Sequence, residues 1–311
     1  MNLESTATRA RVLFVDDEPR ILLSLKALFR PHYEVSGAIG GPAAIEILKN
    51  QPVDVVVSDQ RMPLMTGVEV LRAARELQPQ AIRMLLTGYS DLNAIIGSIN
   101  EGEIFRFISK PWSNDDLRTT LAAAVQASRV QPIVVSGAVA SAAAASMPGA
   151  VSDVGVLILD HDEGERAALR QALGGQCQTH TAGSVEECIA LLEQQRIGVL
   201  ITEMMVGGEP VTALLSALRQ YQPSLVTIVV TGHADAGHAI ELVNHGQIYR
   251  LLQKPVKENL VRGTVNMASR RFETMQHHPD QSQRFVPQAA PPPAVLERSG
   301  LLSRIKRLLL H

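Results

Sequence analysis

The feature that most constrains the fold of this chain is a repeat at a constant offset. The stretch VLFVDDEP begins at Val12 and VLILDHDE begins at Val156, an offset of 144 residues. The same offset relates NEGEIFRF at 100–107 to NHGQIYRL at 244–251, and no gap is needed across about 120 residues. A repeat in such strict register indicates a tandem duplication, so the two halves are expected to share one fold.

Each copy alternates short apolar runs with helical patterns. Uninterrupted runs such as VDVVVS at 53–58 are typical of parallel strands that are covered on both faces. The alternation predicts an α/β fold in which each copy forms a doubly wound, five-stranded parallel sheet. In the first copy the predicted strands are 11–16, 33–38, 53–58, 82–87 and 104–109. The predicted helices are 19–30, 41–50, 66–77, 91–101 and 114–129.

The same pattern predicts one domain at 9–130 and a second at 153–275, whose last helix spans 257–275. Residues 131–152 between them carry no charge and are rich in alanine, serine and proline, which indicates a flexible linker. A membrane span here is disfavoured, because these residues drive insertion weakly and the span would place two similar halves on opposite sides of a membrane.

The predicted tail has two parts. Residues 276–299 are rich in proline and glutamine, which is typical of a disordered spacer. Residues 300–311, GLLSRIKRLLLH, are predicted to form an amphipathic basic helix that is too short to be stable alone in water. It would need a surface: one of the chain's own domains, a groove on a partner protein or, least favoured, an anionic membrane. Its apolar face consists of Leu301, Leu302, Ile305, Leu308 and Leu309.

Bulk properties argue against several classes of function. A net charge of −2 gives no overall attraction to nucleic acid, and the three cations within residues 300–311 do not form a nucleic-acid recognition module. Cys177 and Cys188 are the only cysteines and have no disulfide or metal spacing, so we expect them in cores within a reducing compartment. The N-terminus lacks the apolar stretch of a secretion signal. These features favour a cytoplasmic protein.

Polar side chains end the predicted strands of the first copy. Asp16 and Asp17 end the first strand, Asp59 follows the third, and Thr87 and Lys110 end the fourth and fifth. Because the carboxyl ends of parallel strands share one edge of a sheet, we expect these residues to converge. Three carboxylates repel each other unless a cation binds them, and oxygen ligands at a loop favour Mg²⁺. A carboxylate can also attack phosphorus to form an aspartyl phosphate, which a metal, an ammonium and a hydroxyl would stabilise.

With these residues the first copy resembles the receiver domain of two-component response regulators. The resemblance rests on the acidic pair at 16–17 and on the motifs SDQRMP, LLTGYSD and ISKPW. It implies a flavodoxin-like (βα)5 fold and Mg²⁺-dependent phosphorylation. Asp59 would be the phosphoacceptor, Asp17 the main Mg²⁺ ligand and Asp16 a ligand through water. The backbone carbonyl of Arg61 would supply a further ligand.

The resemblance also implies how the signal would arrive and be sensed. The phosphodonor would be a sensor histidine kinase or a histidine phosphotransfer protein. Thr87 and Lys110 would sense the phosphoryl group, and Phe107 matches the switch aromatic of the family. Arg61 and Tyr89 flank the expected path of water to the phosphate, so slow hydrolysis is predicted.

The second copy resembles a receiver that has lost its phosphorylation chemistry. His161 stands where the first copy has Asp17, and imidazole is a poor ligand for Mg²⁺. Glu203 replaces Asp59 and is one methylene longer, so its carboxylate would miss the in-line geometry of attack. We interpret this copy as a pseudo-receiver held in one state, with Glu203 as a fixed anion facing Lys254, that serves contact or dimerisation. Its degenerate site consists of Asp160, His161, Glu203, Thr231 and Lys254.

Several alternatives stay open at this point. His161 and His233 could form a transition-metal or pH-sensing site with Asp160 and Glu203. For the whole chain, the sequence favours a response regulator whose phosphorylation changes contacts with an unknown downstream protein, with no catalytic or DNA-binding output domain and so no separate enzyme activity. The alternatives are a phosphoryl sink or relay intermediate and a scaffold that is never phosphorylated. The sequence does not determine the oligomeric state, and a homodimer is one option.

Overall fold

The chain consists of two compact units, which are divided between Gln131 and Pro132. The computed structural model describes residues 9–88, 92–129, 152–232 and 235–278. Tyr89, His233, nearly all of the predicted linker and the predicted C-terminal helix lie outside the described residues.

The first unit is a five-stranded parallel sheet flanked by helices, as the sequence predicts. Its elements are β1 (Arg11–Asp16), α1 (Pro19–Phe29), β2 (Glu34–Ile39), α2 (Gly40–Asn50), β3 (Val55–Asp59), α3 (Gly67–Leu77), β4 (Ile82–Thr87), α4 (Leu92–Gly97), β5 (Arg106–Ser109) and α5 (Asn114–Arg129). The strand order is β2-β1-β3-β4-β5, and every pair is parallel. The predicted strands and helices are confirmed in number and order, although β3 and β5 begin two residues later than predicted and α4 ends at Gly97.

Local signals explain several features of this unit. The helix α1 has Pro19 in its first turn, where a missing N–H costs nothing. The helix α3 begins at a capping box in which Glu69 N donates to Thr66 Oγ1 and Thr66 N donates to the Glu69 carboxylate. The central strands β3 and β4 are buried at every position, as expected for strands that are covered on both faces.

The second unit repeats this topology. Its elements are β6 (Ser152–Leu159), α6 (Glu163–Leu173), β7 (Cys177–Ala182), α7 (Val185–Gln194), β8 (Ile197–Thr202), β9 (Met205–Val206), β10 (Glu209–Pro210), α8 (Thr212–Tyr221), β11 (Val226–Thr231), α9 (Ala236–Glu241), β12 (Arg250–Gln253) and α10 (Glu258–His277). The main sheet has the order β12-β11-β8-β6-β7. Ser152 therefore belongs to a strand rather than to the linker, and the last helix runs two residues beyond the predicted end. Among the described residues, no helix has both the length and the apolar character that crossing a membrane requires.

The second unit contains a small hairpin that the sequence analysis did not predict. The two-residue strands β9 and β10 pair antiparallel around Gly207 and Gly208. Both glycines have positive φ, +62° and +84°, which a residue with a Cβ adopts only at a cost. This hairpin lies directly after the strand that ends beside Glu203, so it rebuilds the loop next to the predicted degenerate site.

The helix before the last strand ends in a π-helical turn in both units. Ser98–Gly102 extends α4, and Leu242–Gly246 extends α9. Each turn is followed by a non-glycine residue with a left-handed backbone, Glu103 at φ 46° and Gln247 at φ 48°. The sequence predicted an ordinary helix over 91–101, because hydrophobic periodicity does not reveal a switch to i→i+5 hydrogen bonding.

The amino ends of the strands are secured differently in the two units. In the first, Arg11 Nη2 lies 3.1 Å from Asp54 Oδ1, and Arg11 N donates to Asp54 Oδ2 at 2.7 Å. At the same offset the second unit has Gly155 and Gly198. A Cβ built on Gly198 would lie 2.5 Å from the ring of Phe272, a buried residue of α10. An ion pair in one unit is thus replaced by close aromatic packing in the other.

Candidate functional site

The three acidic residues of the first unit converge at the carboxyl edge of its sheet. Asp16 ends β1, Asp59 ends β3, and Asp17 lies in the loop after β1. The strands β1 and β3 are neighbours, so one carboxylate oxygen from each of the three residues lies within 4.8 Å of the other two. Asp16 and Asp59 are buried, and Asp17 is half-buried. The predicted convergence is therefore present.

Asp16 shows why this cluster suits a cation. Its Oδ1 accepts a hydrogen bond from Glu18 N at 2.8 Å, whereas its Oδ2 is buried and has no hydrogen-bond partner. Burial raises the pKa of Asp16 despite the hydrogen bond from Glu18, and the nearby Asp59 raises it further. A buried carboxylate oxygen without a partner is costly. A hard divalent cation such as Mg²⁺ would satisfy it, with Asp17 and Asp59 as the other carboxylates, so the residues fit the metal that the family implies.

Lys110 binds the predicted acceptor directly. Its Nζ lies 2.7 Å from Asp59 Oδ1. The lysine is placed by the end of β5: Lys110 N donates to Thr87 O at 2.9 Å, and the Lys110–Pro111 peptide bond is cis. The ammonium also lies 5.7 Å from the centre of the Trp112 ring. A carboxylate with an adjacent fixed cation is equipped to accept a phosphoryl group, whose negative charge the ammonium would offset.

The other predicted residues of this site occupy the positions expected of them. Thr87 ends β4, is buried, and donates from Oγ1 to Gly88 O at 3.2 Å. Phe107 lies buried on β5, in register with Leu85 of β4. Arg61 is exposed in the loop after β3. The sensing, switching and ligand roles assigned to these residues stay predictions.

Gly67, which was not predicted from the sequence to matter for the site, shapes the loop after Asp59. A Cβ on Gly67 would lie 2.2 Å from Asp59 O, so only glycine lets α3 begin this close to the acceptor strand. Gly67 N also donates to Gln60 O at 3.1 Å. The second unit has Val211 at the matching position. Val211 N makes the equivalent hydrogen bond, to Met204 O at 3.1 Å, and the loop before it forms the β9–β10 hairpin. The glycine after the motif SDQRMPLMT was the signal for this contact.

In the second unit a lysine gathers three carboxylates. The Lys254–Pro255 peptide bond is cis, and Lys254 N donates to Thr231 O at 2.8 Å, as in the first unit. Burial disfavours the charged ammonium, but its hydrogen bonds to acidic side chains outweigh burial and raise the pKa of Lys254. The Nζ atom lies 2.9 Å from Glu203 Oε2, 3.0 Å from Asp160 Oδ2 and 3.3 Å from Glu165 Oε2. Glu165 was not predicted to belong to this site, because acidic residues are common in the first turn of a helix and its position in the sequence gives no other signal.

Glu203 and His161 occupy different settings within this second site. Glu203 is held at both oxygens, since its Oε1 accepts from Met204 N at 2.7 Å and its Oε2 contacts Lys254. His161 is largely exposed, with Nδ1 3.5 Å from Asp160 Oδ1. Within the described ranges, the only group of three clustered metal-ligating side chains is that of the first unit. The alternative metal or pH-sensing site stays a hypothesis, because His233 lies outside the described residues.

Comparisons with known proteins agree with this geometry. The family model described as the response regulator receiver domain matches residues 12–122 and 156–266. The hydrogenase transcriptional regulatory protein HoxA of Cupriavidus necator is 40% identical over 123 residues, which cover 40% of this chain and 26% of that protein. The sensor kinase CckA of Brucella abortus is 35% identical over 115 residues, covering 36% of this chain and 12% of that protein.

Solved structures also resemble parts of the chain. A signal receiver domain of an HD domain-containing protein from Pseudomonas fluorescens Pf-5 is 35% identical, covers 41% of this chain and 95% of that one, and has a TM-score of 0.39. The chain spans only about a quarter of the length of HoxA. The two matches of the family model nevertheless cover most of the chain and fall on its two parallel sheets. The chain therefore belongs to the response regulator receiver family and carries two receiver domains in tandem.

Proposed function

We propose that this protein is a response regulator in which Mg²⁺-dependent phosphoryl transfer to Asp59 switches contacts with other proteins. One observation carries the proposal: Asp59 lies at the sheet edge with Lys110 Nζ at 2.7 Å and the Asp16 and Asp17 carboxylates within 4.8 Å. The acceptor, its counter-ion and a fitting metal cluster are thus together in one site. The donor is a sensor histidine kinase or a histidine phosphotransfer protein, and the setting is the cytoplasm.

The proposed chemistry uses the groups that the structure brings together. An oxygen of the Asp59 carboxylate attacks the phosphorus of a phosphohistidine, so that a P–O bond forms and the P–N bond breaks. The electron pair of the P–N bond stays on the donor imidazole, which takes up a proton from solvent. Bound Mg²⁺ would supply charge neutralisation to the carboxylates and the phosphoryl oxygens. Lys110 would then lie beside the new phosphoryl group, and Thr87, which ends β4, would turn its hydroxyl from Gly88 O to donate to it. Contacts of these two residues with the phosphoryl group would favour one of two conformations of the receiver domain.

The second receiver has a separate role in this proposal. Glu203 is one methylene longer than aspartate, is held by Met204 N and Lys254, and precedes a loop that has Val211 where the first receiver has Gly67. These contacts support a receiver that is not phosphorylated and that stays in one state for contact with a partner or a second copy. The described residues contain no third domain, so the two receivers are the described surfaces through which a change could be transmitted.

Intact mass spectrometry of the full-length chain tests the proposal. The protein is incubated with Mg²⁺ and acetyl phosphate, and the number of added phosphates is counted and mapped. The proposal expects phosphate on Asp59 alone, which is lost in Asp59→Asn and unchanged in the matched control Glu203→Gln. A folded protein that takes up no phosphate would favour the scaffold alternative. Rapid return of the phosphate to its kinase, with no change in partner binding, would favour the sink or relay alternative.

A further inference from the structure

The two receiver sites hold the same formal charges in different arrangements. Each site has three carboxylates and one lysine. In the first, Lys110 contacts a single carboxylate, that of Asp59, and the Asp16 and Asp17 carboxylates make no contact with it. In the second, the lysine contacts all three. Those three are Asp160, Glu165 and Glu203. The difference between the sites is therefore one of geometry rather than of net charge.

The ammonium of Lys254 has as many N–H donors as there are carboxylates around it. A lysine ammonium has three N–H donors and no acceptor, and three carboxylate oxygens lie 2.9, 3.0 and 3.3 Å from Nζ. Its side chain is 18% exposed, against 32% for Lys110. The ammonium thus has three charged neighbours at ion-pair distance, of which Asp160 and Glu203 are largely buried and Glu165 is about half exposed, so its contacts with the first two are partly desolvated and strong.

Three substitutions between the copies produce this arrangement. Glu165, in the first turn of α6, stands where the first receiver has Ile21, and it adds a carboxylate from the helix side. Glu203 extends the acid at the end of β8 by one methylene, so that one oxygen reaches Lys254 while the other accepts from Met204 N. His161 removes the carboxylate that would have been the main ligand of a divalent cation.

We propose that Lys254 is the built-in cation of the second receiver. Its ammonium binds the three carboxylates that would otherwise require a divalent ion, so this receiver excludes Mg²⁺ and holds its site closed without metal or phosphoryl group. While the ammonium lies between them, the oxygens of these three carboxylates are not all within 4.8 Å of one another. Once the ammonium is removed, they would need to close around a divalent cation to bind it, and the Lys254→Met variant tests whether they do. This inference deepens the proposed division of labour between the copies. Its test needs no phosphodonor, so an inert Asp59 would not count against it.

The first test counts bound Mn²⁺, a hard divalent probe, by electron paramagnetic resonance on the full-length protein. Wild type should bind about one Mn²⁺ per chain and Asp17→Asn none, because the second receiver takes no cation. Lys254→Met keeps the apolar stem of the lysine and removes its charge, and it should raise the count to about two. Wild-type protein that binds two, or a folded Lys254→Met variant that still binds one, would overturn the proposal.

A second measurement keeps the proposal testable if Lys254→Met does not fold. The native protein is treated with an amine-acylating reagent, and labelling of Lys254 and Lys110 is compared by peptide mass spectrometry. Lys254 should react more slowly than Lys110, and added Mg²⁺ should change labelling at Lys110 alone. Glu165→Ile, which installs the residue of the first copy, should speed labelling at Lys254 and leave Lys110 as it was. If Mg²⁺ changes the labelling of Lys254, or if Glu165→Ile leaves it unchanged, the proposal that Lys254 is the built-in cation is wrong.

Discussion

Differences at single residues are expected to decide the chemistry of each receiver. The two receivers can be compared position by position, because each residue of the first corresponds to the residue 144 positions later in the second. The side chains of Asp59 and Glu203 differ by one methylene, and the loops that follow them also differ. Gly67 lets α3 begin against the acceptor strand, whereas Val211 at the matching position accompanies a rebuilt hairpin. The capacity to accept phosphate is therefore expected to depend on the loop and the metal ligands as well as on the acid.

We expect Glu203→Asp to leave the second receiver unphosphorylated. The shorter acid restores the acceptor, but His161 still replaces a metal ligand and the loop still lacks its glycine. The measurement is phosphate mapping after treatment with acetyl phosphate and Mg²⁺. The reverse exchange, Asp59→Glu, serves as the control and should abolish labelling of the first receiver. Phosphate on residue 203 of the variant would show that the acid alone was the obstacle.

Asp16→Asn should stabilise the protein at neutral pH when no divalent cation is present. Burial raises the pKa of Asp16 despite the hydrogen bond from Glu18, so the fold favours the protonated acid and ionisation at pH 7 costs free energy. We expect a gain on the order of 1 kcal/mol at pH 7 that shrinks as the pH falls and disappears below about pH 3, where the carboxyl is protonated in both the folded and the unfolded state.

Urea unfolding over this pH range, in EDTA and again in Mg²⁺, measures this effect. Mg²⁺ should reverse the sign, because the wild-type carboxylate helps to bind the cation and an amide binds it less well. A loss of stability at pH 7 in EDTA would show that the buried, unpartnered Oδ2 of Asp16 does not destabilise the fold.

Whole elements show where the second receiver departs from the first. Its last helix, α10, places Phe272 over Gly198, at the end of the sheet where the first receiver has the Arg11–Asp54 ion pair. Gly198→Ala should lower the free energy of unfolding of the second receiver by about 1–3 kcal/mol, the usual cost of overpacking. The cause is a new Cβ 2.5 Å from both Phe272 and Val154.

The control for this prediction lies on the same helix. Gly263 is exposed in the interior of α10, and a Cβ there would meet nothing within 4 Å. Gly263→Ala should therefore raise stability by about 0.5–1 kcal/mol through helix propensity. Thermal unfolding of the two variants should move in opposite directions, and movement in the same direction would show that the packing over Gly198 has been misjudged.

The π-helical turn Ser98–Gly102 is joined to α3 by arginines. Arg75 Nη1 donates to Glu101 O at 2.7 Å, and Arg72 Nη1 lies 3.1 Å from Glu101 Oε2. Arg75→Gln should increase amide hydrogen exchange in this turn by about fivefold, the equivalent of one net hydrogen bond of about 1 kcal/mol. Arg118→Gln, which removes an exposed ion pair within α5, is the control and should leave the turn unchanged. Equal exchange in both variants would exclude a role for Arg75.

The order of the strands and helices could be predicted because it depends on local periodicity and on a repeat that displays each pattern twice. The convergence of Asp16, Asp17 and Asp59 also followed from the rule that parallel strands end at one edge. What could not be predicted depends on contacts between distant residues. Glu165 reads as an ordinary helix acid until the fold brings Lys254 to it, and the π turns leave the apolar spacing of a helix nearly unchanged.

For the whole molecule, the two receivers should respond differently to Mg²⁺. At about ten times its dissociation constant, Mg²⁺ should stabilise the first receiver by about 1.4 kcal/mol through mass action. The second receiver should not change. Hydrogen exchange resolved to residues 9–129 and 152–278, with and without Mg²⁺, measures both in one sample. Equal protection of both units would show that the second also binds the ion, and Asp17→Asn should abolish the response of the first.

The three contacts of Lys254 have a consequence for how the protein reports on its surroundings. A ligand that is covalently part of the chain cannot be diluted, so its effective concentration at the carboxylates is set by the fold rather than by the solution. If both proposals hold, occupancy of the first site would vary with free magnesium and with the supply of phosphodonor, whereas occupancy of the second would vary with neither. One polypeptide would then combine a site that responds to its surroundings with a site that stays constant.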